Sequence, residues 1–172
     1  MTKFLNESKE FFISMLSEDQ GAWALMNYLK TNKIKIKDRE VAQLALEKNG
    51  QILNYCSDSL KDSDYLVKIA VTNNGMALDY ASQRLKDNDD IVKIAMKLNQ
   101  AILFASKRIK ESKEFALLSL RYNPNDIRFY SNEIKNICGT GRLQKERLEK
   151  AIADEKFANN LSDKLEEKSQ SK

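Results

Sequence analysis

Lys61–Lys86 reads KDSDYLVKIAVTNNGMALDYASQRLK. Leu66, Val67, Ile69, Ala70 and Val71 form a short apolar helix. Asn73-Asn74-Gly75 stops it. Ala77, Leu78, Ala81 and Leu85 then fall at helical spacing and predict a second short helix. Lys86-Asp87 starts another. The stretch is one unit, and most of the chain is made of its near-copies.

Clear copies begin near Asp38, Asp62, Asp87 and Glu111. The small residue of the first helix recurs as Ala45, Ala70, Ala95 and Ser119. The aromatic of the second recurs as Tyr55, Tyr80, Phe104 and Phe129, and the closing aliphatic as Leu60, Leu85, Ile109 and Ile134. Each column has a period of about 25 residues, which signals stacked supersecondary units. The expected fold is therefore all-α. It is an α-solenoid of short helical hairpins, about four to five ~25-residue repeats, with a C-terminal capping helix or helix pair.

The copies carry their own punctuation. Asp62 or Ser63, Asp87 or Asn88, and Ser112 are candidate N-caps, whose oxygens accept first-turn N–H groups. Gly50 and Gly75, each after Asn, suit a left-handed helix end. The third copy has Asn99-Gln100 instead, and the fourth Asn123-Pro124, with Pro suited to a first turn.

Residues 1–33 read as a degenerate first copy: the apolar run Glu10–Leu16, a break at Gln20-Gly21, and the helix Ala22–Leu29. Lys33–Lys37, KIKIK, is a connector; its alternation suits a strand, but one short strand has nothing evident to pair with. Residues 34–138 form the array. Gly139-Thr140-Gly141 breaks the chain, and 139–165 form the capping region. There Leu148, Ala151 and Ile152 make one apolar stripe and Phe157, Leu161 and Leu165 another out of phase, so a kink near Asp154 or two helices are expected. Residues 166–172 read as a disordered tail. The whole is one domain.

On a helical wheel the apolar residues around Ala70 span about 200° of the circumference. That suits a helix held between its own hairpin partner and neighbouring repeats. The remaining outward stripe reads Gln43/Glu47, Lys68/Thr72, Lys93/Lys97 and Leu117/Arg121. On the second helix the outward positions read Asn54/Asp58, Asp79/Gln83, Leu103/Lys107 and Arg128/Asn132. Both stripes grow more basic toward the later copies.

At these columns the chain resembles domain-of-unknown-function family 4116, tandem helical repeats of bacterial and viral proteins. The resemblance rests on Asp-x-x-x-[Ile/Leu]-Val-x-x-Ala-[Val/Met], on Asn-Gly, and on Ala-Leu-x-[Tyr/Phe]-Ala-Ser-x-x-Leu-Lys-Asp. It covers residues 38–134, best up to Ile109. The fourth copy departs, with Ser119 for Ala and Tyr130 at the small position of Ala81. The resemblance implies a helical repeat fold and no activity.

The chain has no His, which removes the commonest general base, metal ligand and pH switch. Its two cysteines form neither a metal motif nor a disulfide framework. No signal peptide or membrane span is read, so a soluble cytoplasmic protein is expected. Gly139–Arg142 lacks the strand and the Lys-Ser/Thr of a phosphate-binding loop and reads as a hinge. The recurring Ser57, Ser82, Ser106 and Ser131 suit packing or backbone bonding. Cys56 lies in a small-residue column, while Cys138 is reactive only if Lys135 or Arg142 lowers its pKa. The acids at helix starts, such as Asp62, Asp64, Asp89 and Asp90, cap and complement the helix dipole without a metal. No cofactor and no small-molecule substrate are expected, and no enzymatic activity.

The basic stripe carries the functional expectation. Its residues are Lys68, Lys93, Lys97, Lys107, Arg108, Arg121 and Arg128, with Leu103 and Leu117 where other copies are polar. The formal net charge is only +4, and Glu47 and Asp79 dilute the stripe, so a plain solvated face also accounts for it. The preferred reading is a protein partner, acidic or part of a larger complex, bound by an adaptor or inhibitor. The alternative is RNA or DNA on the same residues. Against it, Tyr55, Tyr80 and Phe104 occupy core columns and do not interleave with exposed basic residues.

Overall fold

The computed structural model describes residues 8–98, 101–139 and 144–156. The chain divides into two compact units, Met1–Ser106 and Lys107–Lys172. Among the described residues all regular structure is helical, α or 3₁₀, apart from one isolated bridge.

In the first unit, Ser8 Oγ accepts the Phe11 N–H and starts α1 (Lys9–Ser17). α2 (Gly21–Asn32) packs back on it. Phe11, Phe12 and Tyr28 join the two, with Phe11 and Tyr28 ring centres 5.2 Å apart. Leu25 and Leu29 are fully buried. α2 ends at Lys33, whose φ of 55° is left-handed. The connector beyond it does find a partner. Ile36 forms a parallel bridge with Cys56, its N–H donating to the Tyr55 carbonyl and its carbonyl accepting from the Ser57 N–H, both at 2.8 Å.

From Asp38 onward one order of elements occurs four times. It is a long helix, a 3₁₀ segment and a short helix. First come α3 (Arg39–Lys48), Gly50–Tyr55 and α4 (Asp58–Lys61), then α5 (Asp64–Asn73), Gly75–Tyr80 and α6 (Gln83–Lys86). Next are α7 (Asp89–Met96), Ala101–Phe104 and α8 (Lys107–Glu111). Last are α9 (Lys113–Tyr122), Pro124–Phe129 and α10 (Asn132–Cys138).

The expected second helix of each hairpin is thus two pieces. At Ala81 and Ser82 the backbone is extended, with ψ near 160°. The Ser82 N–H donates to the Lys61 carbonyl of the preceding copy at 3.0 Å rather than continuing a helix. Ser57 to Ile36, Ser106 to Lys86 and Ser131 to Lys110 repeat this bond. The hydroxyls of Ser82 and Ser131 then accept the N–H groups of Leu85 and Ile134 and start the short helices. The serine column ties one copy's backbone to the copy before it.

Capping is close to expectation. Asp38, Asn88 and Ser112 accept first-turn N–H groups, and Ser63 holds the N-cap of α5 without a side-chain bond. Asp62 and Asp87 instead close the preceding short helices and accept from the hydroxyls of Ser82 and Ser106. Asn49, Asn74 and Asn123 start the 3₁₀ segments by accepting the N–H two residues on. Neither Gly50 nor Gly75 is left-handed. A β-carbon on residue 50 would meet the Ala70 carbonyl, so Gly50 is there for close backbone approach. Asn99 and Gln100 lie outside the described residues.

In the first unit α3 packs on α5 and α5 on α7, while the 3₁₀ segments pack on one another in the same order. Ala45, Ala70 and Ala95 are fully buried, so the small column lets successive helices approach.

In the second unit Ser119 takes the small position, buried, and donates to Asp126 Oδ2 at 2.9 Å. Asn123 Nδ2 donates to the other carboxylate oxygen at 2.9 Å. Burial raises the Asp126 pKa above the ordinary carboxylate value, with the Ser119 bond and Arg128 opposing. Tyr130 is buried and satisfied, its hydroxyl donating to the Phe115 carbonyl at 2.8 Å. Residues 144–156 are helical and bury Leu148 and Ile152. Lys113 bridges Glu155 at 2.9 Å and Glu133 at 3.6 Å. The second apolar stripe from Phe157 and the tail lie outside the described residues. No described helix is long and apolar enough to cross a membrane.

Candidate partner-binding surface

The wheel places Lys68, Lys93 and Lys97 outward, and all three are exposed. Lys68 sits on α5, Lys93 on the adjacent α7, and Lys97 at the C-cap of α7. The apolar side of each helix, including Leu66, Val67, Ile91 and Val92, is buried opposite them. Lys68 and Lys97 form no ion pair among the described residues. On α3 the same positions hold Gln43 and Glu47, which bond to each other at 2.9 Å. The charge of this face therefore starts at α5.

Apolar groups lie beside it in the chain. Leu98 directly follows Lys97 and is 53% exposed, and Leu103 is 44% exposed. Trp23 and Tyr65 are also exposed, and the Arg39 guanidinium lies 5.4 Å from the Tyr65 ring centre. That pairing joins α3 to α5 and was not legible from spacing.

The remaining stripe residues belong to the second unit. Lys107, Arg108, Arg121 and Arg128 are exposed, and Leu117 is half-buried. Acids and rings engage several of them. Lys107 meets Glu111 at 3.5 Å, Arg121 meets Glu149 at 4.0 Å, and Arg128 lies 4.6 Å from the Phe129 ring centre. In the first unit only Lys68 and Lys97 of the stripe are without an ion pair among the described residues.

The acids at the start of α5 are held by one arginine. Arg84 Nε donates to Asp62 Oδ1 at 3.0 Å, and its Nη2 donates to Asp64 Oδ2 at 2.7 Å and to the Asp62 carbonyl at 2.6 Å. The Ser82 hydroxyl, then Arg84, lowers the Asp62 pKa; Arg84 lowers that of Asp64. No group of three or more potential metal ligands converges among the described residues.

Neither thiol is set up as a nucleophile. Cys56 is fully buried, its S–H donates to the Ile52 carbonyl at 3.7 Å, and burial pushes its pKa up to about 12. Burial also raises Cys138. Its neighbouring cation is Arg147, which lowers the value less than burial lifts it and donates to the Cys138 carbonyl at 3.1 Å. Gly139 ends α10 with φ 62°, in the left-handed range that suits glycine. Thr140 to Leu143 lie outside the described residues.

The segment from α5 to the 3₁₀ turn after α7 carries Lys68, Lys93, Lys97 and Leu103. Residues 65–103 match the family described as Domain of unknown function (DUF4116). The match falls inside the span of the expected resemblance and on its best-kept columns. No curated protein and no solved structure matches the chain.

Proposed function

We propose that this chain is a non-enzymatic helical-repeat protein, a short α-solenoid of the cytoplasm. It binds another protein through an exposed, partly basic helix face, as an adaptor or as an inhibitor of a larger complex. The observation that carries this reading is the exposure of Lys68, Lys93 and Lys97 on two adjacent packed helices, with exposed Leu98 and Leu103 next to them in the chain. Cations beside apolar side chains suit an acidic protein surface with an apolar centre. The ordered packing of α3, α5 and α7, and of their 3₁₀ segments, supports a repeat array.

The test is affinity capture from the native host with and without nuclease, at low and high salt. A protein retained after nuclease treatment supports the reading. A partner lost on nuclease treatment, with steep salt dependence, replaces it with nucleic-acid binding.

A further inference from the structure

The connector between α2 and α3 has one free edge. Lys33, with φ 55°, turns the chain out of α2, and the Ile34 N–H donates back to the Leu29 carbonyl at 3.1 Å. Ile36 spends both of its backbone groups on Tyr55 and Ser57. In an extended chain successive residues aim these groups at opposite edges. Lys35 and Lys37 therefore face away from Tyr55, and among the described residues their N–H and C=O groups have no hydrogen bond.

That edge opens on a cleft of about 530 Å³. Its walls take in residues 33–38 but neither Tyr55 nor Ser57, which puts it on the unpaired side. Buried Phe12 and Val41 supply apolar wall. Lys9, Lys33, Lys35 and Lys37 are the basic residues of the wall. Asp38 is the single acid in the wall, and the cap of α3 already engages its carboxylate. Lys9 pairs with Glu40 and Lys35 with exposed Asp58, while Lys33 and Lys37 have no ion pair among the described residues.

We propose that this edge accepts an extended acidic segment of another protein as an added strand. Unpaired strand edges are templates for strand addition, in which main-chain bonds give affinity and alternate side chains give specificity. The lysines select the occupant. A second copy of KIKIK would set like charges opposite each other, which is destabilising. A strand with a carboxylate at every second position meets Lys33, Lys35 and Lys37, and its intervening small apolar residues lie toward Phe12 and Val41. The site is separate from the Lys68, Lys93 and Lys97 face and stands or falls independently of it.

The probe is a capped peptide of alternating Glu and Val, EVEVEVE, titrated against the full chain while amide exchange is followed by NMR. Binding should slow exchange at Lys35 and Lys37 by about ten-fold or more at saturation. Lys35→Glu with Lys37→Glu should weaken binding by about ten-fold or more, whereas Lys93→Glu with Lys97→Glu should leave it unchanged. No binding would overturn the proposal. So would equal binding of the peptide with every amide nitrogen methylated, or binding that leaves exchange at Lys35 and Lys37 unaltered. The exchange measurement on the parent chain decides the matter even if a charge-reversed variant fails to fold.

Discussion

The carbonyl oxygen of Ala70 occupies the place that a β-carbon on residue 50 would need. Gly50 also donates its N–H to Asn73 Oδ1 at 2.8 Å, and Asn73 Nδ2 donates to the Glu47 carbonyl at 3.0 Å. The joint after α3 is thus clamped to the end of α5 by backbone contact and one asparagine. Gly50→Ala should destabilise the protein by about 1–3 kcal/mol, because the obstacle is backbone and cannot rotate aside. A urea midpoint equal to the parent's would show that the joint opens without cost.

The same close packing sets the response of the small column. Ala70 and Ala95 are fully buried between successive helices. Ala70→Leu and Ala95→Leu each add three carbons to a filled contact and should cost about 1–3 kcal/mol. Unchanged denaturation midpoints in both variants would remove the column from the core.

Much of this was legible because it depends on residue type at fixed spacing. The alanine column, the outward lysines on α5 and α7, and the caps at Asn88 and Ser112 are local patterns with local causes. What escaped depends on partners far along the chain. Nothing in Ala81-Ser82 itself shows that the Ser82 N–H goes to Lys61, and that bond splits the second helix. KIKIK reads as a lone strand until Cys56 lies beside it. In the same way Arg84 gathers Asp62 and Asp64, and Glu149 approaches Arg121, across separations that no spacing rule spans.

The thiols should be silent in the folded protein. Cys56 is fully buried with its pKa pushed up to about 12, and burial raises Cys138 as well. The thiolate is the reactive form, so neither should react with a thiol reagent at neutral pH until the chain unfolds. Rapid labelling of either in native buffer would contradict the burial.

Asp126 should make stability pH-dependent with an unusual sign. Its folded pKa is raised, chiefly by burial, so the folded state holds its proton more tightly than the unfolded state. This contribution is favourable at low pH and fades as pH rises from the ordinary value of 3.8 through the raised folded value. Asp126→Asn keeps a partner for both Ser119 and Asn123 and removes the ionisation. The variant should therefore gain on the parent between acid pH and pH 7, and the gap should close again on acidification. A stability difference independent of pH would mean that Asp126 stays solvated.

Lys93→Glu with Lys97→Glu should abolish partner binding and leave the fold intact. The two lie four residues apart and are exposed on the side of α7 opposite buried Ile91, Val92 and Ala95. Changes at such positions cost within about 0.5 kcal/mol each. Binding has more to lose, since an acidic partner would then face like charge, at a cost of several kcal/mol at close range. Lys35→Glu with Lys37→Glu is the comparison, because it reverses the same charge on the connector. Loss of the captured partner in the first variant alone places that partner on the α5–α7 face. Loss in the second alone places it at the strand edge. Undiminished binding in both means that the partner uses neither set of lysines, and the exposed ring of Trp23 becomes the surface to test.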